Sequence, residues 1–268
     1  MDINEKCVGC GNCHAVCTMG AISLDANGRS VVDQDKCVEC STCYRVLRDE
    51  GYGAAFVRAV RRVLKALRLQ YMAPVDVCPT GALVQPELEY PRSLRADFSD
   101  PTVVHKGTGV GGRGTEEIKT NDVTGRLGDG DAGIVVELGR PGIGAHFRDV
   151  ETVAMALAPL EPEFEPFNPV TQLMEDTKTG KMREEVLDEK VLSAIIEAKT
   201  RLERIPEYLS VLQAVQTEID TVFSVGIASR CLPDGSVPHQ KWVEEAGFTL
   251  SPNGKTNLGL GRPLYKGD

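Results

Sequence analysis

No apolar run in this 268-residue chain approaches the length needed to cross a bilayer, so no membrane-spanning helix is expected. Met1 leads straight into Asp2, Asn4, Glu5 and Cys7, without the basic stretch and apolar run of a targeting segment, and the expected compartment is the cytoplasm. A surplus of cations is missing as well. The net charge of −9 argues against a nucleic-acid surface, which needs clustered cations, while it permits docking to a basic partner. No Ser/His/Asp set, no carboxylate pair and no His-Glu zinc motif can be picked out. His239 could serve as a ligand or an acid but has no visible partner in the sequence, and the lone Trp242 reads as a packing anchor. With 41% apolar and 26% charged residues the chain suits one to two globular domains with a sizeable core, and not a tail-like or fibrous protein.

Cysteine, by contrast, is plentiful and patterned. Cys7, Cys10 and Cys13 stand at C-x2-C-x2-C with Cys17 three residues on, which is the spacing of an iron-sulfur ligand run. Cys37, Cys40 and Cys43 repeat it, and Cys78, followed by Pro79, supplies the missing fourth ligand. Two-residue gaps let a tight loop wrap one cluster while its amides point at sulfur, and the distant fourth cysteine ties that loop to another part of the chain. Structural zinc favours paired C-x2-C with four ligands, so triple runs would leave thiols over. Disulfides are the other bland reading, and thiols kept as ligands agree with a reducing interior and an anaerobic host. Cys231 has no partner.

On these motifs, residues 1–90 resemble the two-cluster bacterial ferredoxins. The resemblance implies that the fourth cysteine of each run ligates the other cluster. Cys7, Cys10, Cys13 and Cys78 would then hold one 4Fe-4S cluster, and Cys37, Cys40, Cys43 and Cys17 the second. Two departures stand out: Thr18 follows Cys17 where the family usually has proline, and 34 residues separate Cys43 from Cys78 where the family has three.

Ala21–Leu24 and Ser30–Asp33 flank the turn 25–29 as a short hairpin. Cys78-Pro-Thr-Gly-Ala-Leu repeats Cys17-Thr-Met-Gly-Ala-Ile, which marks an internal repeat. The insertion reads as an amphipathic helix over 53–71. Its periodicity puts Phe56, Val57, Val60, Val63, Leu64, Leu67 and Tyr71 on one side and Arg58, Arg61, Arg62, Lys65 and Arg68 on the other. That basic side is a solvated face, a docking surface for an acidic partner or anionic cofactor, or a membrane-surface face.

Residues 91–132 read as a glycine-rich connecting segment, with five glycines between Gly107 and Gly114. No Gly-Lys-Ser/Thr follows, so it is not a P-loop. It is either a flexible interdomain connection or backbone that approaches a ligand closely. Gly133–Leu138 reads as a buried strand, and the loop 139–145 leads into a helix carrying Phe147, Val150, Val153, Ala154 and Leu157. Such a turn offers amides to an anion, with Arg140, His146 and Arg148 around it, or needs glycine only for its backbone angles. Arg113, Lys119 and Arg140 are the candidate cofactor-binding residues, with Lys106 and Arg126 nearby.

Pro159–Pro169 reads as a crossover, 170–183 as a hairpin, and 186–199 as a short helical turn and then a strand from about Leu192. A helix starts near Pro206 and a strand covers 221–229, with Phe223, Val225 and Ile227 on one face. The expected class is α+β. A two-cluster ferredoxin domain (1–90) and the connecting segment (91–132) precede a ferredoxin-like βαββαβ sandwich (133–230) and a turn-rich tail (231–268).

The stretches Arg113–Arg126, Glu137–Gly144 and Phe147–Val150 are similar to the region after the ferredoxin domain in 6-hydroxynicotinate reductase-like proteins. That resemblance implies an anaerobic reductase of an aromatic nitrogen ring, associated with a flavin on this chain or on a partner. The expected function is single-electron relay to a partner protein or catalytic subunit, with an oligomer plausible. The alternative is a self-sufficient reductase whose glycine loops hold an anionic substrate or a flavin; clusters alone cannot deliver a hydride.

Overall fold

Two main hydrophobic cores of very different size organise the computed structural model, which describes residues 1–44, 52–69, 77–104, 125–140 and 142–251. The first unit runs β1 (Asp2–Ile3), α1 (Asn12–Val16), β2 (Ile22–Leu24), β3 (Ser30–Val32), α2 (Ala54–Ala66) and β4 (Leu83–Val84). Strands β2 and β3 form the expected hairpin, with Ile22 opposite Val32. Asp25 closes its turn, accepting from the amides of Asn27 at 2.9 Å and Arg29 at 2.8 Å. Strand β1 pairs antiparallel with β4, so the start of the chain is tied to the segment just after Cys78. Met1, Cys13, Ile22, Cys43 and Leu83 make the core here. A core this small, part of it thiol, cannot carry a fold on apolar burial alone and needs a further cross-link.

The second unit runs α3 (Ser93–Ser99), β5 (Asp131–Leu138), β6 (Ala145–His146), α4 (Phe147–Leu157), β7 (Glu163–Phe164), β8 (Met174–Asp176), β9 (Lys181–Met182), β10 (Lys190–Val191), β11 (Ala194–Arg201), α5 (Ile205–Val215), β12 (Phe223–Ala228) and α6 (His239–Glu245). Its four-stranded sheet has the order β12-β5-β11-β7, every neighbouring pair antiparallel. Helix α4 therefore carries the chain from β5 past β11 to β7, and α5 carries it from β11 past β5 to β12. Strand β5 is central and reads as a nearly continuous apolar run because both its faces are covered. Ala132, Ile134, Val136 and Leu138 share the large core with Ala194, Ile196 and Ala198 of β11, and with Phe147, Val150, Val153 and Leu157 of α4 and Tyr208, Leu209 and Leu212 of α5. The chain is thus α+β, and among the described residues no helix is long and apolar enough to cross a membrane.

Several boundaries differ from the sequence reading, each for a local reason. The second sheet strand is Glu163–Phe164, inside what reads as a crossover; Pro162 and Pro166 bracket it, as suits a short edge strand. The hairpin β8-β9 forms, but apart from that sheet. Residues 93–99, grouped in the sequence with the connecting segment, form a helix whose Leu94 and Phe98 belong to the large core, and Phe98 meets Phe147 edge-on with ring centroids 5.2 Å apart. The turn-rich tail contains α6, which buries Val243 and packs Trp242 against the same core. Helix α2 covers 54–66 within the expected 53–71; Tyr71 lies outside the described residues, as do 105–124 and 252–268.

Candidate metal centres

The internal repeat is a repeat of geometry. Gly20 and Gly81 take φ +60 and +61, and at the next residue the amides of Ala21 and Ala82 donate to Cys17 Sγ at 3.2 Å and Cys78 Sγ at 3.1 Å. Only glycine adopts those angles without strain, which is why the spacing from cysteine to glycine is kept in both copies. The first cysteine loop is built similarly: the amides of Gly9 and Ser30 each donate to Cys7 Sγ at 3.4 Å. Gly9 takes φ +61, and a β-carbon there would collide with the carbonyl oxygen of Gly28, so this loop is seated on the hairpin turn. Thr42 Oγ1 lies 3.3 Å from Cys40 Sγ. Amides and hydroxyls directed at sulfur stabilise thiolate charge and raise the reduction potential of whatever the thiolates hold.

Two hollows collect the cysteines. One is walled by Cys7, Cys10, Cys13 and Cys78 with Ile3, Val8 and Val77. The other is walled by Cys17, Cys37, Cys40 and Cys43 with Met19, Ile22 and Val32. Each hollow takes three thiols from one run and its fourth from the far end of the other. Among the described residues no three His, Cys, Asp or Glu side chains converge closely enough for a single ion; the four thiols stand instead around the wall of a larger space. Burial, followed by the neighbouring Cys40, Cys37, Cys17 and Cys13, pushes the Cys43 thiol up to about 12, and burial likewise raises Cys10, Cys13 and Cys37. An apolar hollow walled by four thiols favours a bound group that takes up thiolate charge, and a 4Fe-4S cluster fits that donor set.

The two hollows are gripped differently. At the first, Arg61 of α2 donates to the carbonyl oxygens of Val8 and, at 2.9 Å, Gly9, the two residues between Cys7 and Cys10. At the second, the grip comes from the larger unit. Arg95 of α3 donates through Nη1 to the carbonyls of Gln34 at 2.9 Å and Cys37 at 2.8 Å, and its Nε pairs with Glu189. Arg92 pairs at 2.7 Å with Glu39, which is also bonded at 2.6 Å to the Met1 ammonium. Burial alone would raise the Glu39 carboxyl, but these two cations outweigh it and hold the group below its usual range. The sequence shows none of these grips, because a cation's reach across the chain leaves no periodic trace; only the i, i+3 spacing of Arg92 and Arg95 hints at a shared face.

The remaining candidates fare unevenly. Arg113, Lys119 and Lys106 lie outside the described residues. Arg140 pairs with Glu137 at 3.0 Å, Arg148 with Asp188, and Arg126 with Glu165. The glycines of the 139–145 loop serve close packing: a β-carbon at Gly139 would press on the Leu192 carbonyl, and one at Gly144 on Val191 and on Met19 of the first unit. Cys231 is half-buried and forms no disulfide.

His239 lies 2.8 Å from Ser229 Oγ, and burial pushes its ring down to about 4, so it is neutral at pH 7 and not poised as an acid. The unfolded chain takes up that proton first, near 6.5, so this contribution to stability is full above pH 6.5 and is lost as pH falls toward about 4. His239→Gln should flatten that part of the curve of unfolding midpoint against pH; an unchanged curve would refute the assignment.

Residues 6–46 match a protein family described as a 4Fe-4S dicluster domain. The match takes in both C-x2-C-x2-C runs and Cys17 and ends before α2 and Cys78. It supports an iron-sulfur electron-transfer role for the first unit. Among curated proteins and among solved structures nothing matches this chain.

Proposed function

We propose that this chain is an iron-sulfur electron-transfer protein or subunit that holds two 4Fe-4S clusters, one on Cys7, Cys10, Cys13 and Cys78 and one on Cys37, Cys40, Cys43 and Cys17. The observation that carries the reading is the exchange of fourth thiols between the two hollows. A bound cluster would supply one-electron chemistry. The chain's own part is to exclude water with Ile3, Val8, Val77, Ile22 and Val32, and to direct the amides of Gly9, Ala21, Ser30 and Ala82 at sulfur. It also sets Arg61 beside one hollow and Arg95 beside the other, where a cation favours an added electron.

We read the second unit as a ferredoxin-like βαββαβ sandwich, supported by the strand order and by the two helical crossovers. It is the assembly surface for a flavin-dependent oxidoreductase in a reducing cytoplasm. The sequence likeness over 113–150 suggests an aromatic-ring reductase of the 6-hydroxynicotinate type. A self-sufficient reductase is the second reading.

Anaerobic purification with iron, sulfide and flavin measured on one sample decides between them. About eight irons per chain, four for each of two clusters, without flavin is the expected result. One flavin per chain would make this chain the reductase, and absence of iron from an anaerobically reconstituted sample would end both readings.

A further inference from the structure

We propose that helix α2 is the platform on which an acidic redox protein docks to exchange electrons at the first cysteine hollow; the proposal rests on the relay reading above. The helix presents three faces. One edge packs inward through buried Val57 with half-buried Val60 and Leu64, and Arg61 clamps that edge to the Cys7–Cys10 loop. The second face is apolar and in water: Phe56, Val63 and Leu67 are 61%, 58% and 62% exposed. Their spacing of seven and four residues sets them in one line along the helix. The third face carries Arg58, Arg62 and Lys65, all exposed and spaced four and three residues apart. No ion pair engages these three cations among the described residues.

Large apolar side chains left in line on a surface mark an interaction site. Around the helix the exposed Ala59 and Ala66 separate the apolar strip from the row of cations, so a partner seated on that crest meets both, the apolar part supplying affinity and the cations speed and selectivity. Three unpaired cations on a chain of net charge −9 select an acidic counterpart. A bilayer fits less well. A membrane-surface helix carries cations on both flanks of its apolar face, whereas here the apolar strip has the packed edge on one flank, Ala59 and Ala66 on the other, and the cations on the far side of the helix. The clamp through Arg61 gives the platform its purpose, because a partner seated on α2 lies against the loop that carries Cys7 and Cys10. One electron leaves the partner's reduced prosthetic group and one enters at this hollow; no bond is made or broken.

The test uses the full chain, reconstituted anaerobically, and reduced flavodoxin as an acidic one-electron donor. Arg58→Glu/Arg62→Glu/Lys65→Glu should weaken flavodoxin binding at least tenfold by titration and slow electron delivery to match, with the wild-type affinity falling as salt rises. Iron content and reduction by dithionite, which needs no docking site, should be unchanged. Phe56→Ser/Val63→Ser should weaken binding without altering its dependence on salt. Absence of wild-type binding, equal affinity in the triple variant, or binding to phosphatidylglycerol vesicles in place of flavodoxin would overturn the proposal. Loss of iron from the wild type would overturn the relay reading instead, and is read separately.

Discussion

Cys78→Ser should take the iron content from about eight to about four per chain and abolish one of two cluster signals by electron paramagnetic resonance, and Cys7→Ser should abolish that same signal. Cys17→Ser and Cys37→Ser should each abolish the other. The pairing is the sharp part. If each run kept its own nearest fourth cysteine, Cys17 would go with Cys7, Cys10 and Cys13, and Cys17→Ser and Cys7→Ser would share a lost signal. The hollows argue for the exchange, since Cys78 closes the wall around the first run and Cys17 the wall around the second. Matching amides from Ala82 and Ala21 meet those two sulfurs. A common signal lost from Cys7→Ser and Cys17→Ser would sink the assignment.

Arg95→Ala should be the most damaging substitution away from the cysteines. The side chain is 7% exposed and holds the two units together, with donors on Gln34, Asp35 and Cys37 carbonyls and a charge on Glu189, itself 13% exposed. Removing it strands a largely buried carboxylate and three carbonyls, a loss of about 3–5 kcal/mol. Arg95→Lys restores the charge but not the fork, so it should recover only part. Two readouts check this. The apparent thermal midpoint of the whole chain should drop by several degrees, and the potential of the cluster that also depends on Cys17 and Cys37 should fall, because a cation favouring the added electron is gone. A lower midpoint with both potentials unmoved would leave Arg95 a purely structural bridge.

Which parts of this arrangement show in the sequence follows from how local their physics is. The ligand runs are legible because cluster geometry imposes fixed gaps between Cys7 and Cys17 and between Cys37 and Cys43. Strand β5 and helices α4 and α5 are legible because each buries a face at its own period. Strand β7 is not, since a two-residue strand inside the Pro162–Pro166 stretch carries no period. Helix α3 escapes notice because its seven residues include Arg95, whose burial depends on carbonyls found only in the folded chain. For α2 the period is right but the contact is narrower than the apolar side: Phe56, Val63 and Leu67 stay in water, while Arg61, on the basic side, turns in to the Cys7–Cys10 loop. Periodicity fixes which residues share a side and leaves open how much of that side a small unit can cover.

Exchanged as proposed, the fourth cysteines would make each cluster a clasp across the chain. The first clasp would join Cys13 to Cys78 and so fasten the ends of a long loop that contains the whole second run. The entropy of closing a loop grows only with the logarithm of its length, so the insertion, which roughly doubles the loop between Cys13 and Cys78, costs only about 0.6 kcal/mol. The segment between Cys43 and Cys78 is therefore a place where a surface can be added or exchanged while both sites stay intact, and α2 is what this chain carries there.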